Sequence, residues 1–312
     1  MKLATRINSF LSTYDNDLNT VFEVFNKLGL GYVDLNYPEH VEGINAFHMK
    51  EQLAKNNLKL NGVALRFRNE FINGELGNAD SSIAESALRL CKAAADYCRD
   101  AGGNVVTIWL GFDGFDYSFQ INYQKVWNQI RDAFIEIADY APDLQISIEY
   151  KPFQPRAYAF IDSMGVAGML LNEINRKNVG VTLDYCHMLM KHENPAFAAD
   201  IFGNQGKLYG VHLNDGYGLN DDGLMIGSAT PIKTLEFLYY MKKNNYDGVI
   251  YFDTFPIIEH ASKECEQNMK MIKLLVEIID TVGLDHIQTI IDKNDAIEAN
   301  QLMIDFWSAT SK

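Results

Sequence analysis

Eight short apolar segments alternate with amphipathic stretches along the chain, and this alternation is the strongest constraint on the fold. The apolar segments are rich in β-branched and aromatic residues, which favour buried strands, and the stretches between them have helical spacing. The predicted strands are 4–8, 32–36, 60–67, 105–110, 145–150, 179–184, 208–213 and 248–253. The predicted helices are 16–28, 41–56, 80–101, 121–141, 163–175, 194–203, 231–244 and 259–282. Strand–helix alternation with right-handed crossovers gives a parallel sheet, and eight such units favour closure into a barrel.

The predicted fold is therefore α/β, a single (β/α)8 TIM barrel over residues 1–283 with a C-terminal helical extension over residues 284–312. A length of 312 residues suits one barrel of this kind. Gly29 and Gly102 follow predicted helices, where a left-handed residue is needed to end them. The extension has apolar residues at helical spacing, which is typical of a segment that packs beneath a barrel or across a subunit boundary. The sequence leaves both arrangements open.

The composition narrows the range of partners. The formal net charge of −14 would repel a phosphate backbone, and no Lys/Arg-rich run offsets it, so no nucleic-acid partner is expected. The sequence has no stretch of eighteen apolar residues and no long apolar segment at its start, so we expect no membrane span and a cytoplasmic location. The glycine-rich motifs of nucleotide-binding loops are missing as well, and no nucleotide cofactor is expected.

Four side chains that bind divalent cations stand at the ends of four successive predicted strands. The segments QISIE, VGVTLD, LYGVH and GVIYFD end in Glu149, Asp184, His212 and Asp253. In a parallel barrel the carboxyl ends of the strands meet on one face, where the chemistry of this fold is found. Carboxylates and imidazoles delivered to one place are suitable ligands for divalent cations. The pattern indicates a metal-dependent barrel enzyme.

Lys151 follows Glu149 by two residues in the segment EYKPFQPR, so both side chains are expected on the same side of the strand. An ammonium beside a metal-binding carboxylate can polarise a substrate oxygen or share a proton, and a buried salt bridge is the alternative. We predict that Lys151, Glu149 and Asp253 are catalytic, although Asp253 could instead cap the following helix. The segment TLDYCH spaces Asp184 and His187 so that both can approach a cation, or can hydrogen-bond to each other.

The loop that follows His212 offers further carboxylates for a second cation. Its sequence is HLNDGYGLNDDGLM, and Asp222 is preferred as the ligand, with Asp221 as the alternative. Asp215 is interpreted as part of a solvated turn. Asn214 is assigned to the substrate side of the site.

Other side chains near strand ends are candidates for substrate contacts. Trp109 ends the fourth strand and is predicted either to stack on a sugar or to pack the barrel. Phe255 would shape an apolar rim, and Arg66 would orient substrate hydroxyls or a phosphate, with Arg68 nearby. Isolated histidines such as His40 are expected at the surface or at helix ends.

These motifs together resemble the xylose isomerase-like superfamily of TIM-barrel sugar isomerases and epimerases, nearest its L-rhamnose isomerase and xylose isomerase branch. EYKPFQPR is similar to the E-x-K-P-x-E-P segment of those enzymes, and HLND with the following DD is similar to their H-x-N…D-D loop. This chain has Gln154 where the family has its second glutamate, and it has no clear counterpart of the ring-opening histidine.

The resemblance implies a role for each matched residue. The first metal would be held by Glu149, Asp184, His212 and Asp253, and the second by Asp184, His187 and either Asp222 or Asp221. Lys151 would be the catalytic lysine. The expected cofactor is a divalent metal, with Mn²⁺ preferred, Mg²⁺ or Co²⁺ possible and Zn²⁺ less favoured. A homodimer or homotetramer is expected.

The predicted function is aldose–ketose isomerisation of a sugar by a metal-assisted hydride shift. The alternative is a ketose 3-epimerase, which works by proton exchange, or another sugar or polyol enzyme of the same superfamily. Epimerases of this kind use two glutamates, whereas the last strand here ends in Asp253, which favours the isomerase. A DNA-repair endonuclease is disfavoured by the acidic charge and the small number of histidines at strand ends.

Overall fold

A parallel barrel is the frame of the described chain, residues 1–309 of the computed structural model. The strands are β1 (Lys2–Thr5), β2 (Tyr32–Tyr37), β3 (Lys59–Leu65), β4 (Val105–Trp109), β5 (Gly114–Phe115), β6 (Gln145–Glu149), β7 (Tyr158–Ala159), β8 (Val179–Asp184), β9 (Leu208–Leu213) and β10 (Val249–Phe252). Eight of them pair in parallel in the order β1-β10-β9-β8-β6-β4-β3-β2. The end strands β1 and β2 contact each other, so the barrel is nearly closed and the predicted fold class is confirmed.

Helices follow the strands around the outside of the barrel. They are α1 (Ile7–Leu11), α2 (Leu18–Leu28), α3 (Ala46–Lys55), α4 (Ser81–Ala101), α5 (Tyr123–Tyr140), α6 (Met164–Ile174), α7 (Tyr185–Met190), α8 (Pro195–Asn204), α9 (Pro231–Lys243), α10 (Ala261–Val282), α11 (Leu284–Lys293) and α12 (Ala296–Ala309). Short polar side chains begin several of them: Asp17 caps α2, Asp80 caps α4 and Asn122 caps α5 by accepting backbone N–H groups. Gly29 and Gly102 end α2 and α4 with φ of 84° and 85°, as predicted.

The first strand begins earlier than predicted. β1 pairs with β10 from Lys2↔Val249 to Thr5↔Phe252, and the chain turns into α1 from Ile7 onward. Pairing with β10 fixes this register, since the backbone N–H of Arg6 still reaches the carbonyl of Phe252 at 3.1 Å. The polar residues of the predicted segment 4–8 consequently stand just beyond the carboxyl end of the barrel.

A small antiparallel pair, β5 with β7, was not predicted. Gly114 pairs with Ala159 and Phe115 with Tyr158, which joins the loop after β4 to the loop after β6. Arg156 strengthens the same junction, because its guanidinium donates to the carbonyls of Phe112 and Ile72 at 3.2 and 2.9 Å. Two-residue strands inside loops have no periodicity that a sequence could reveal.

The C-terminal segment forms the two helices α11 and α12, which pack on the outside of the barrel against α10. Its buried side chains, Ile287, Ile290, Leu302 and Phe306, belong to the main hydrophobic core. Residues 310–312 of the predicted extension lie outside the described residues. None of the helices in residues 1–309 is long and apolar enough to cross a membrane.

Candidate active site

A cavity of about 200 Å³ opens at the carboxyl ends of the strands. One side of its wall is formed by Trp109, Glu149, Lys151, His187, Asp221 and Asp253. Trp109, Glu149 and Thr182 lie in register across β4, β6 and β8, and Asp184 lies in register with His212 on β9. The strand ends therefore bring the predicted ligands to one place, as the parallel topology requires.

The predicted ligands form two overlapping groups that share Asp184. Glu149, Asp184 and His187 are one group, and Asp184, His212 and Asp253 are the other; in each, the possible ligand atoms lie within 4.8 Å of one another. Two ligands on opposite sides of one cation stand about 4–4.6 Å apart. Each group thus has the dimensions of a cation site, and both groups are buried.

The orientation of His187 follows from its place on a short helix. Asp184 caps α7, and its Oδ1 accepts the backbone N–H of His187 at 3.0 Å. His187 Nδ1 lies 3.0 Å from the carbonyl of Tyr150, so this nitrogen carries the proton and donates it there. Nε2 is left facing the cluster, 3.3 Å from Asp221 and 3.9 Å from Asp184. A histidine held through one nitrogen in this way presents the other to a metal.

Asn214 supports the cluster from behind. Its Nδ2 lies 3.4 Å from both carboxylate oxygens of Asp184 and donates to the carbonyl of Asp253 at 3.2 Å. Its Oδ1 accepts the N–H of Cys186 at 2.8 Å. The side chain is fully buried and does not line the cavity, so the prediction that Asn214 contacts substrate does not agree with the structure. Asn214 was predicted to contact substrate because of its place in a motif loop, and that place does not reveal the direction of the side chain.

Unpaired polar atoms test whether these residues fit a cation. His212 Nδ1, Asp253 Oδ1 and Asp221 Oδ1 are buried and have no hydrogen-bond partner within residues 1–309. Buried polar atoms are normally paired, because leaving them unpaired costs free energy. All three atoms are metal-ligand types in one cluster, so a divalent cation would satisfy them, and the donor set fits the predicted metal.

Burial and mutual charge shift the pKa values of the cluster. Burial raises the pKa of Asp184 to about 7. Burial, the largest single influence, lowers the pKa of His212, but the nearby carboxylates of Glu149, Asp253 and Asp184 together outweigh it and raise the value to about 9. The converse holds for Glu149: burial raises its pKa, but the neighbouring His212, His187 and Arg66 together outweigh burial and lower the value to about 2. A cation that binds here would displace protons from the ligands.

Lys151 lies between Asp221 and Trp109. Its ammonium is 2.8 Å from Asp221 Oδ2 and 5.2 Å from the centre of the Trp109 ring. The side chains of Lys151 and Asp221 are only 8% and 15% exposed, so the pair is largely shielded from water. Lys151 thus forms its ion pair with Asp221. Glu149 instead lies near the imidazoles of His187 and His212, at 3.7 and 3.5 Å.

The loop after β9 places its three aspartates differently. Asp221 faces the cavity, whereas Asp222 Oδ2 accepts the backbone N–H of Tyr217 at 2.8 Å and lies outside the cavity wall. This placement favours Asp221 over Asp222 as a ligand, the reverse of the sequence preference. Asp215 is fully buried and accepts the N–H groups of Ala229 and Thr230 at 2.8 and 2.9 Å. It holds the loop and is not part of a solvated turn.

The part of the cavity wall at the ends of β1, β2 and β3 is polar and mostly unpredicted. It is formed by Arg6, Asn8, Asn36, Glu39, Arg66 and Arg68, with Phe255 at the rim beneath the Arg6 guanidinium at 4.3 Å. The sequence pattern identified Arg66, Arg68 and Phe255 but not Arg6 or Glu39. Position just beyond β1 and β2 was the signal that could have found them.

His40 is buried, and the prediction of a surface or helix-end position is wrong. Its Nδ1 accepts the backbone N–H of Asn36 at 3.0 Å, so Nε2 carries the proton and donates to Asn8 Oδ1 at 3.1 Å. Burial lowers the pKa of His40 to about 4. The neutral imidazole fixes both asparagines at the cavity wall.

A second cavity, of about 440 Å³, lies at the amino ends of the strands, around Lys2, Asn61 and Tyr246. Both groups of metal-ligand residues found in the described chain lie at the carboxyl ends instead. The chemistry of the described residues therefore concentrates in the smaller cavity.

Known proteins resemble this chain in sequence and in fold. Residues 22–274 match the family described as the xylose isomerase-like TIM barrel. The xylose isomerase of Thermus thermophilus is 26% identical over 190 residues, which is 59% of this chain and 49% of that protein. The chain thus spans about half the length of the curated relatives it matches.

Solved structures of sugar epimerases have the same fold. The D-allulose 3-epimerase from Methylomonas sp. superposes with a TM-score of 0.68 at 18% identity, covering 82% of this chain and 90% of that one. The D-psicose 3-epimerase from Clostridium cellulolyticum H10 gives 0.67 at 14% identity, covering 83% and 93%. The family match extends over most of the barrel and includes every predicted ligand. The chain therefore belongs to the xylose isomerase-like TIM-barrel family.

Proposed function

We propose that this protein is a divalent-metal-dependent sugar isomerase that interconverts an aldose and a ketose by a hydride shift. The observation that carries the proposal is the buried ammonium of Lys151, fixed 2.8 Å from Asp221 at the wall that also holds the metal-ligand cluster. A permanent cation beside such ligands suits a reaction in which negative charge develops on a substrate oxygen.

The ligand set supports a first cation at Glu149, Asp184, His212 and Asp253, and a second at Asp184, His187 and Asp221. A cation held there would act as a Lewis acid on the sugar carbonyl. Asp184 is surrounded by the carboxylates of Glu149, Asp253 and Asp221 and by the imidazoles of His187 and His212. This mixture of oxygen and nitrogen ligands suits Mn²⁺, with Mg²⁺ or Co²⁺ as alternatives. The unpaired atoms of His212, Asp253 and Asp221 support this assignment.

The remaining side chains have roles that follow from their positions. In the isomerisation, a hydride moves between C2 and C1 of the sugar while a proton moves between their oxygens. Lys151 would stabilise the charge on the carbonyl oxygen, and Asp221 would hold the ammonium in place. Trp109 and Phe255, both at the cavity wall, would exclude water from the hydride path.

The second candidate is a ketose 3-epimerase. Glu149 and Asp253 supply two carboxylates at the cavity from β6 and from the end of β10, and an epimerase needs one base on each face of the sugar. Two of the structures that share the fold are described as such epimerases. Against this candidate, the Arg6 guanidinium lies 4.0 Å from Asp253 and would weaken it as a base.

A panel of free aldoses and ketoses tests the proposal. Metal-stripped protein is loaded with Mn²⁺, and products are identified in ordinary and heavy water. Aldose–ketose conversion without deuterium on carbon, lost on stripping and restored by Mn²⁺, is the expected result. Ketose-to-ketose conversion with deuterium at C3 would favour the epimerase over the isomerase. Metal-independent turnover would contradict both candidates.

A further inference from the structure

The side of the cavity wall at the ends of β1, β2 and β3 carries three arginines. Arg6, Arg66 and Arg68 all line it, and Glu39 is the carboxylate on that side. A neutral sugar is recognised by a mixture of donors and acceptors, whereas this side is dominated by donors. The excess of guanidinium groups therefore calls for an explanation beyond hydroxyl recognition.

Two of the three arginines already have partners. Arg68 NH2 lies 3.5 Å from Glu39 Oε2, with side chains 60% and 38% exposed, so this pair stands at the solvent edge. Arg6 stacks on the Phe255 ring at 4.3 Å and has Asp253 at 4.0 Å. Both guanidinium groups are therefore already engaged by side chains of the protein.

Arg66 is different. Its backbone N–H donates to the carbonyl of Tyr37 at 2.9 Å, which anchors it beyond the end of β3. Its guanidinium makes no hydrogen bond or ion pair with any residue of the described chain, although the residue is half-buried. A guanidinium offers a planar pair of donors that matches a carboxylate or a phosphate in two parallel hydrogen bonds.

The charges around the cavity agree with an anionic ligand. Five carboxylates surround it or lie directly beneath it, namely Glu39, Glu149, Asp184, Asp221 and Asp253. Four permanent cations face them, namely Arg6, Arg66, Arg68 and Lys151. With both histidines neutral as ligands, one divalent cation gives the site a net positive charge. An acidic substrate would neutralise that charge, although the whole protein is acidic.

We propose that the substrate is a monosaccharide with a terminal anionic group, a carboxylate or a phosphate ester, and that Arg66 binds this group. The inference rests on the proposed function, because the cation cluster fixes which end of the sugar reacts. A cavity of about 200 Å³ is small for a ligand site, which favours a single sugar over a larger conjugate. The reactive carbons would lie at the ligand cluster and the anionic end at Arg66.

Matched sugars and two variants test this assignment. Three series are compared on the Mn²⁺-loaded protein: neutral hexoses, the same hexoses oxidised to C6 carboxylates, and their 6-phosphates. Arg66→Gln removes the free guanidinium without leaving a carboxylate unpaired. Arg89→Gln is the control, because Arg89 is an exposed arginine on α4 that pairs with the exposed Glu85 at 3.8 Å. Binding is measured by calorimetry in parallel with turnover, and thermal unfolding checks that each variant folds.

The expected result is a kcat/KM at least about ten-fold higher for one anionic series than for the matched neutral sugars, lost in Arg66→Gln and kept in Arg89→Gln. Preference for carboxylates or for phosphates identifies the group. Equal turnover of neutral and anionic sugars, or an equal loss for both in Arg66→Gln, would overturn the substrate class and leave the isomerase intact. If no series is converted, the proposed function fails. Calorimetry then decides: anion-selective binding lost in Arg66→Gln supports the Arg66 assignment, and its absence overturns it.

Discussion

Replacement of Lys151 with methionine should lower turnover far more than it lowers metal affinity. Methionine keeps most of the aliphatic length of the side chain and removes the charge. The ammonium is the group that we assign to the developing negative charge on the sugar oxygen, and it is absent from both groups of metal ligands. The substitution therefore separates catalysis from metal binding.

The contacts of Lys151 determine how large the losses in turnover, stability and metal affinity should be. Loss of one positioned donor to a developing oxyanion lowers kcat by about 10²–10³-fold. Breaking a buried ion pair costs about 3–5 kcal/mol when the remaining charge has no other partner. Asp221 keeps His187 at 3.3 Å, so we expect a loss of only about 2 kcal/mol in the free energy of unfolding. Metal affinity should change by less than about ten-fold, because all the proposed ligands, Asp221 included, remain in the variant.

The assay is steady-state turnover of the sugar found in the panel, with Mn²⁺ affinity measured by calorimetry and stability by urea unfolding. Lys92→Met is the matched control. Lys92 pairs with Glu136 at 2.7 Å on the outside of the barrel, where the side chains are 27% and 55% exposed. This variant should retain full turnover.

Three results would refute the reasoning. An unchanged kcat in Lys151→Met would show that the ammonium has no catalytic role. Equal losses of turnover and Mn²⁺ affinity would show that Lys151 acts by holding the site together. A loss of turnover in Lys92→Met as large as that in Lys151→Met would show that the effect is not specific to the cavity.

Three further outcomes are expected. Asp221→Asn should weaken binding of a second Mn²⁺ equivalent by about ten-fold or more, whereas Asp222→Asn should not, and the opposite ranking in a calorimetric titration would contradict the loop geometry. Burial, reinforced by Asp113, raises the pKa of Glu75 to about 9, so the folded protein holds a proton that the unfolded chain loses above its ordinary value of 4.5. Stability should then fall as pH rises from about 5 to 9, by at most about 1.4 kcal/mol per pH unit, and Glu75→Gln should remove that slope in urea unfolding. Asn214→Ala should weaken Mn²⁺ binding by about 10–100-fold through Asp184; unaltered affinity would show that its support is dispensable.

The sequence predicts the barrel because buried parallel strands appear as continuous apolar runs and helix ends carry local signals. The exact start of a strand is not predicted in this way. β1 begins at Lys2, earlier than predicted, because it pairs with β10 from that residue. The β5–β7 pair was missed because two-residue strands have no pattern of their own.

The ligand cluster was predictable for a topological reason, since residues at the carboxyl ends of parallel strands must meet. The loops were not predictable in the same way. Asp221 and Asp222 are adjacent in sequence, yet one faces the cavity and the other binds the backbone of Tyr217. Which of the two faces inward depends on contacts between distant segments.

The sequence by itself thus determined the fold class and the set of strand-end side chains, because both follow from short-range periodicity and from the direction of parallel strands. Only the tertiary structure decided the partners of those side chains. It paired Lys151 with Asp221, placed Asn214 behind Asp184, and left the Arg66 guanidinium at the cavity wall without a hydrogen bond or ion pair to residues 1–309. These contacts join residues far apart in the chain, and their geometry depends on how the loops pack above the barrel.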